Sequence, residues 1–88
     1  MKLKKSVKKV WVLVDLDAPK KYIDPNMCYV ARSDGGMFSH VNTNDINEAI
    51  QFGSYRAAAA YLNEHKNGIF GPDTTFPREA TITTLVKL

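Results

Sequence analysis

The sequence predicts an α+β domain: a three- to four-stranded antiparallel sheet in the chain order β-β-β-α-β, with one main helix packed on one face. Three observations predict it. Residues 8 to 16 are β-branched and alternate with a period of two. Asp34-Gly35-Gly36 separates two further extended stretches, as a tight hairpin requires. Finally, Ser54 precedes a stripe of apolar residues at helical spacing.

In the first strand, Val10, Val12, Val14 and Leu16 alternate with Trp11, Leu13 and Asp15. Both faces are mostly apolar, so this strand is expected at the centre of the sheet. DAPKKYIDPN follows, and Pro19 and Pro25 make it a projecting loop that cannot continue a ladder. Met27 to Ser33 and Met37 to Val41 read as the two arms of the hairpin. A two-residue turn would place His40 opposite Tyr29 or Ala31. Thr43 or Asn44 can cap a short turn that carries Asp45 and Glu48 near its positive end and points Ile46, Ala49 and Ile50 inward.

The helix is the most legible element. Ser54 can accept a hydrogen bond from an unpaired amide of the first turn, and Asn67-Gly68 supplies a stop, so the helix should run from about 55 to 66. Tyr55, Ala58, Ala59 and Leu62 fall at i, i+3, i+4 and i+7. That stripe is expected to lie on Val10, Val12, Val14 and Val30, leaving the other sheet face open for binding. After the loop NGIFGPDTTFPRE, Ala80 to Leu88 reads as the fourth strand.

With 88 residues there is room for one domain and one modest core. The reading is a basic N-terminal arm over 1–7 and a single domain over 8–88. Lys2, Lys4, Lys5, Lys8 and Lys9 crowd the first nine residues, leaving seven basic side chains against nine acidic ones in the remainder. A basic end attracts nucleic acid, anionic lipid or an acidic protein by charge alone. The run from Val10 to Val14 is too short for a signal-peptide core or a membrane span, and the single Cys28 excludes an internal disulfide, which suits the cytoplasm.

Catalytic constellations are not readable. Cys28 and His40 lie on neighbouring hairpin strands, but the turn geometry leaves them at best diagonal. Asp15 and Asp17 share a strand face that Asp24 could approach, yet the residues around them lack the spacing of an ion-binding loop. Gly68 to Gly71 has the G-x-x-G spacing of a backbone clamp for nucleic acid, but Pro72 prevents the helix that such a clamp needs. His65 reads as a complement to the helix dipole. No catalytic residue, cofactor or metal site is assigned.

YVARSDGGMF, from Tyr29 to Phe38, followed by DINEAIQFGSYRAAAAYL, from Asp45 to Leu62, resembles the hairpin, D-I-x-x-A-x-x-F and S-x-x-x-A-x-x-Y-L layout of small phage or prophage proteins. The resemblance covers about a third of the chain and implies a viral accessory protein in the cytoplasm of a bacterial host. The matched positions are structural, so no catalytic residue is carried over.

The expected function is therefore non-enzymatic: binding, and inhibition, of a bacterial host protein. The expected contact residues are Lys20, Lys21, Tyr22, Phe70, Phe76 and Arg78, since Tyr, Phe and Arg are the side chains that most often anchor interfaces. The alternative is a nucleic-acid binder that uses Lys2, Lys4, Lys5, Lys8 and Lys9 together with sheet aromatics such as Trp11, Tyr29 and Phe38. A homodimer through an open sheet edge is a further expectation.

Overall fold

One strand, β1 (Leu3–Asp15), has every other element arranged about it. The computed structural model describes residues 2–21, 24, 26–33, 39–69 and 71–87, with the side chains of Pro19 and Lys21 left aside. After β1 come a one-turn helix α1 (Ala18–Lys21), β2 (Tyr29–Arg32), β3 (His40–Thr43), the main helix α2 (Tyr55–His65) and β4 (Thr75–Lys87). Two 3-10 turns, Lys66–Gly68 and Pro72–Thr74, join α2 to β4. The sheet order is β3-β2-β1-β4, and each pair is antiparallel. The fold is thus α+β, with four strands and one main helix, as the sequence predicts.

Because β1 is apolar on both faces, both faces need a cover. On one, Leu13 and Val30 pack with Ala58 of α2 and with Ile69, flanked by Trp11, Phe52, Tyr61 and Leu62. On the other, Val10 and Val12 pack with Ala49, flanked by Ile46, Val14, Tyr29, Ala80 and Ile82. This corrects the expected partition: of the residues assigned to the helix, only Val30 meets it. Val10, Val12 and Val14 lie on the opposite face under the segment 46–49, so that face is not open.

The helix begins where its cap predicts. Ser54 Oγ accepts the Ala57 amide at 3.1 Å, and Ala58 is completely buried. Tyr55, however, is 57% exposed, and its ring meets that of Trp11 edge-on, at a separation of 5.5 Å. It sits in the first turn, beyond the sheet area that the helix covers. In the turn before the helix, Thr43 Oγ1 accepts the Asp45 amide and donates to Glu48, and Asp45 Oδ1 accepts the Asn47 amide.

Three local expectations are corrected. Residues 3–7 are not a separate arm, since Leu3 to Asp15 pair without a break with Lys87 to Thr75. Lysine itself is a poor strand former, but Leu3, Val7 and the threonine- and aliphatic-rich β4 opposite favour pairing. In the hairpin, His40 lies opposite Arg32, and Tyr29 opposite Thr43, not in either register expected of a two-residue turn. The segment after β1 is also not wholly a loop, for α1 plugs Ala18 into the interior with no exposure. The turn Asp34-Gly35-Gly36, with Tyr22, Phe38 and Phe70, lies outside the described residues.

Candidate binding ribbon

The sheet is not covered along its full length. On its inner edge, β1 pairs with β2 at Val14, and next with Phe52, whose amide and carbonyl both bond Trp11 at 2.8 Å. Ile50 ties the same segment to the Val30 carbonyl. Below Trp11, among the described residues, no strand pairs with that edge of β1. Residues 3–9 and 81–87 therefore continue as a two-stranded ribbon, roughly 20 Å long at the rise of an extended chain, with Ile82 at its base against the second apolar cluster.

The composition of this ribbon sets it apart. Lys4, Lys5, Lys8 and Lys9 lie on β1, Lys2 precedes it and Lys87 ends β4, and all six are exposed. No carboxylate occurs between residues 2 and 9 or between 81 and 87. The remainder of the chain carries the other six basic residues against all nine acidic ones. The molecule is thus divided into a ribbon of charge +6 and a body of charge −3. Residues opposite one another across the ladder share a face, so Lys5 and Lys9 lie on the helix side, and Lys4 and Lys8 on the other. Leu3, Val7, Leu85 and Val86 are interspersed among them, each between 43% and 64% exposed.

The body is tied down by buried polar groups. Asp15 is completely buried; its Oδ1 accepts the Thr74 hydroxyl at 2.8 Å and the Asp17 amide at 3.0 Å. Asp24 turns instead to the Asn44 side chain and the Asn26 amide, and these bonds hold its carboxyl below the usual carboxylate range. The three aspartates do not converge. No cluster of three or more His, Cys, Asp or Glu positioned for a metal exists among the described residues. Burial raises the Cys28 thiol above its ordinary pKa, and the carboxylates of Asp15 and Asp24 add to the effect, the reverse of what a nucleophile needs. In the β2–β3 ladder His40 is level with Arg32, three positions past Tyr29, so Cys28 and His40 are not brought together.

His40 belongs to another group. It is buried, its Nδ1 lies 2.7 Å from Ser39 Oγ and its Nε2 2.8 Å from the Tyr61 hydroxyl. His65 stacks on Tyr61 at a ring separation of 4.1 Å and meets the edge of His40 at 5.6 Å. The hydroxyls of Ser39 and Tyr61 can each donate or accept, so the neutral imidazole is satisfied in either tautomer. Gly68 closes this group from the side, for a Cβ there would land on the Ser39 hydroxyl. The group locks α2 to β3, and His65 acts through packing as well as position at the helix end. The G-x-x-G segment is structural too: Ile69 is a core residue, and Gly71 takes a positive φ of 76° to enter the second 3-10 turn.

The expected protein-contact residues are scattered. Lys20 is on α1, 3.9 Å from Asp17; Phe76 and Arg78 are on β4, both exposed. The Lys21 side chain, Tyr22 and Phe70 lie outside the description. Phe76 lines a shallow groove of about 320 Å³ with Tyr55, Leu62, Pro72 and Pro77, between α2 and the start of β4. Trp11 and Tyr29 are on opposite faces of the sheet, each half-buried, so they do not form one platform for stacking bases. Sequence reasoning singled out the N-terminal lysines as an arm and missed Lys87 and the ribbon that joins them; residues 3–9 carry no period-two apolar pattern, since Leu3 and Val7 share a face with Lys5 and Lys9. No helix among the described residues is long and apolar enough to cross a membrane. Neither protein-family models, nor curated proteins, nor solved structures give a match to this chain.

Proposed function

We propose that this chain is a non-catalytic binding protein whose working element is the lysine ribbon, and that its ligand is the phosphate backbone of a nucleic acid. The observation that carries the reading is the division of charge: six lysines without a carboxylate on a projecting two-stranded ribbon, and a net negative body behind it. A two-stranded ribbon is narrow enough to enter the major groove of a duplex, with lysines on both faces able to meet the flanking phosphates. The acidic body would be repelled by the same polyanion, which orients the ribbon toward it. Trp11 and Tyr29, on opposite faces of the sheet, are not needed for it.

The test is a titration of labelled duplex and single-stranded oligonucleotides at several salt concentrations. Each phosphate neutralised should contribute about −0.9 to the slope of log affinity against log salt on a duplex. Replacing Lys4 and Lys8 with glutamine should weaken binding and flatten that slope by about 2 if both meet phosphates. Absence of binding at about 50 mM salt would sink the reading.

The second reading is a protein partner. It rests on the groove beside exposed Tyr55 and Phe76, which are 57% and 45% exposed, and the resemblance to phage accessory proteins would make that partner a bacterial host protein. Binding through the groove should survive high salt and be lost on Phe76→Ala, whereas binding through the ribbon should respond in the opposite way.

A further inference from the structure

We propose that the outer edge of β4 pairs with the same edge of a second copy, antiparallel about a two-fold axis through Thr83, joining two sheets into one of eight strands. The pairing takes up Lys87 and the outer edge of the ribbon, so it competes with entry of a lone two-stranded ribbon into a groove, and it leaves Lys4, Lys5, Lys8 and Lys9 exposed for phosphate.

The direction of each main-chain group can be read from the hydrogen bonds flanking β1. Asp15 donates its amide to Cys28 and Trp11 to Phe52, both on the β2 side, whereas Leu16 donates to Thr74, on the β4 side. Even-numbered residues of β1 therefore face β4, since the direction alternates along a strand. Given that Val14 is opposite Phe76 and Lys4 opposite Val86, the even-numbered residues of β4 bond β1. Glu79, Thr81, Thr83, Leu85 and Lys87 turn their amides and carbonyls outward. Among the described residues no strand takes them up. Pro77 also faces outward, so its missing amide costs the β1 ladder nothing.

Self-pairing must set outward residues opposite outward residues, so the two-fold axis passes through a residue and not between two. An axis at Ile82 would put Pro77 opposite Lys87 and lose a bond there. An axis at Thr84 would leave Glu79 past the last described residue of the other strand. An axis at Thr83 places Glu79 opposite Lys87 of the second copy, twice by symmetry, with Thr81 opposite Leu85 and Thr83 opposite itself. Each outward amide from Glu79 to Lys87 then finds a carbonyl, and Pro77 falls outside the pairing. On the other face Val86, 43% exposed in one copy, comes to lie beside Ala80 of the second copy, next to that copy's Val10. The second apolar cluster would thus continue across the junction. The symmetric, self-complementary contact is the kind that closes as a dimer, and it removes the long edge that a lone copy presents.

The charge pair supplies the test. Sedimentation velocity over a concentration series should show the wild-type chain as a dimer. Glu79→Lys and Lys87→Glu should each weaken association by about tenfold or more, since each sets like charges opposite one another twice. An equimolar mixture of the two variants should restore the dimer, with one of each in native mass spectra, because every contact in the mixed pair is again between opposite charges. In a Cys28→Ser background, Thr83→Cys should form an intermolecular disulfide on mild oxidation. Thr81→Cys should not, its two copies being roughly 13 Å apart along the strands. Circular dichroism establishes that each variant is folded. A wild-type chain that stays monomeric up to about 1 mM, roughly a −4 kcal/mol limit on association, overturns the proposal. So does a dimer indifferent to both charge changes, or equal crosslinking at positions 81 and 83.

Discussion

The two halves of β1 share one ladder and have opposite fates. Between Val10 and Asp15, four of six residues are buried and the other two half-buried; from Leu3 to Lys9 every residue is exposed. Both halves pair with β4 throughout, although the first is almost wholly apolar and the second is more than half lysine. What separates them is what lies above and below: α2 and the 46–49 segment cover the first and end before the second. Strand pairing and burial are thus separate decisions in this chain. The ladder runs on through lysines that are poor strand formers, whereas burial stops where the apolar run and the covering segments both end.

The strongest way to break that comparison is a matched pair of truncations. Leu13→Ala removes a side chain with no exposure and should cost about 2–5 kcal/mol, whereas Val7→Ala, six residues earlier on the same face, should stay within about 0.5 kcal/mol. Urea melts at protein concentrations low enough to exclude association would show it, and equal losses would mean that the ribbon is covered. Asp15→Ala comes next. It strips an acceptor from the Thr74 hydroxyl and the Asp17 amide at the point where the covered half ends, with an expected loss of about 1–3 kcal/mol. A neutral result would show that this end of β1 is held by packing alone.

Smaller effects sharpen the picture on the covering side. Ser54→Ala removes the N-cap of α2 and should lower stability by about 1 kcal/mol, measured in the same melts. The last is a pH dependence confined to the covered body. Burial holds His40 below its ordinary value of 6.5; a hydrogen bond to the Gly68 backbone opposes this, and the nearby His65 and Arg32 assist it. The unfolded chain therefore takes up the proton first. Stability is complete above 6.5 and is lost as pH falls through the folded value. Thermal melts from neutral to mildly acid pH should show that decline, and His40→Gln should flatten it.

The parts legible in the sequence are those in which a local signal and a tertiary need coincide. Ser54 announces the helix start because an unpaired amide needs an acceptor whatever the helix packs on. The double-sided apolarity of Val10 to Val14 announces a central strand because no other place satisfies it. What escaped is non-local. Nothing at Lys4 or Lys5 specifies that Val86 and Leu85, at the far end of the sequence, lie opposite. The alternation set Val10 and Val12 on one face and Leu13 on the other, but nothing local says that the helix takes the Leu13 face and the capped turn with Ile46 and Ala49 the other. His40 is opposite Arg32 and not Tyr29 or Ala31, because turn residues alone leave the register of the flanking strands open. The candidate contacts on loops were chosen by residue type, whereas the ribbon is a property of arrangement.

The pairing of the first strand with the last has a consequence in time. Bringing Asp15 to Thr75 closes a loop of about sixty residues, an entropic cost that must be met before any β1–β4 bond forms. Once that end is joined, each further pair toward Leu3 and Lys87 closes no new loop, so the ladder zips outward from the core. Opening runs in reverse: the tip, with neither cover nor flanking strand within a single copy, parts first and most often. The lysines therefore sit on the portion of the sheet that exchanges fastest between paired and open, whereas Asp15 and Thr75 separate only when the whole domain unfolds.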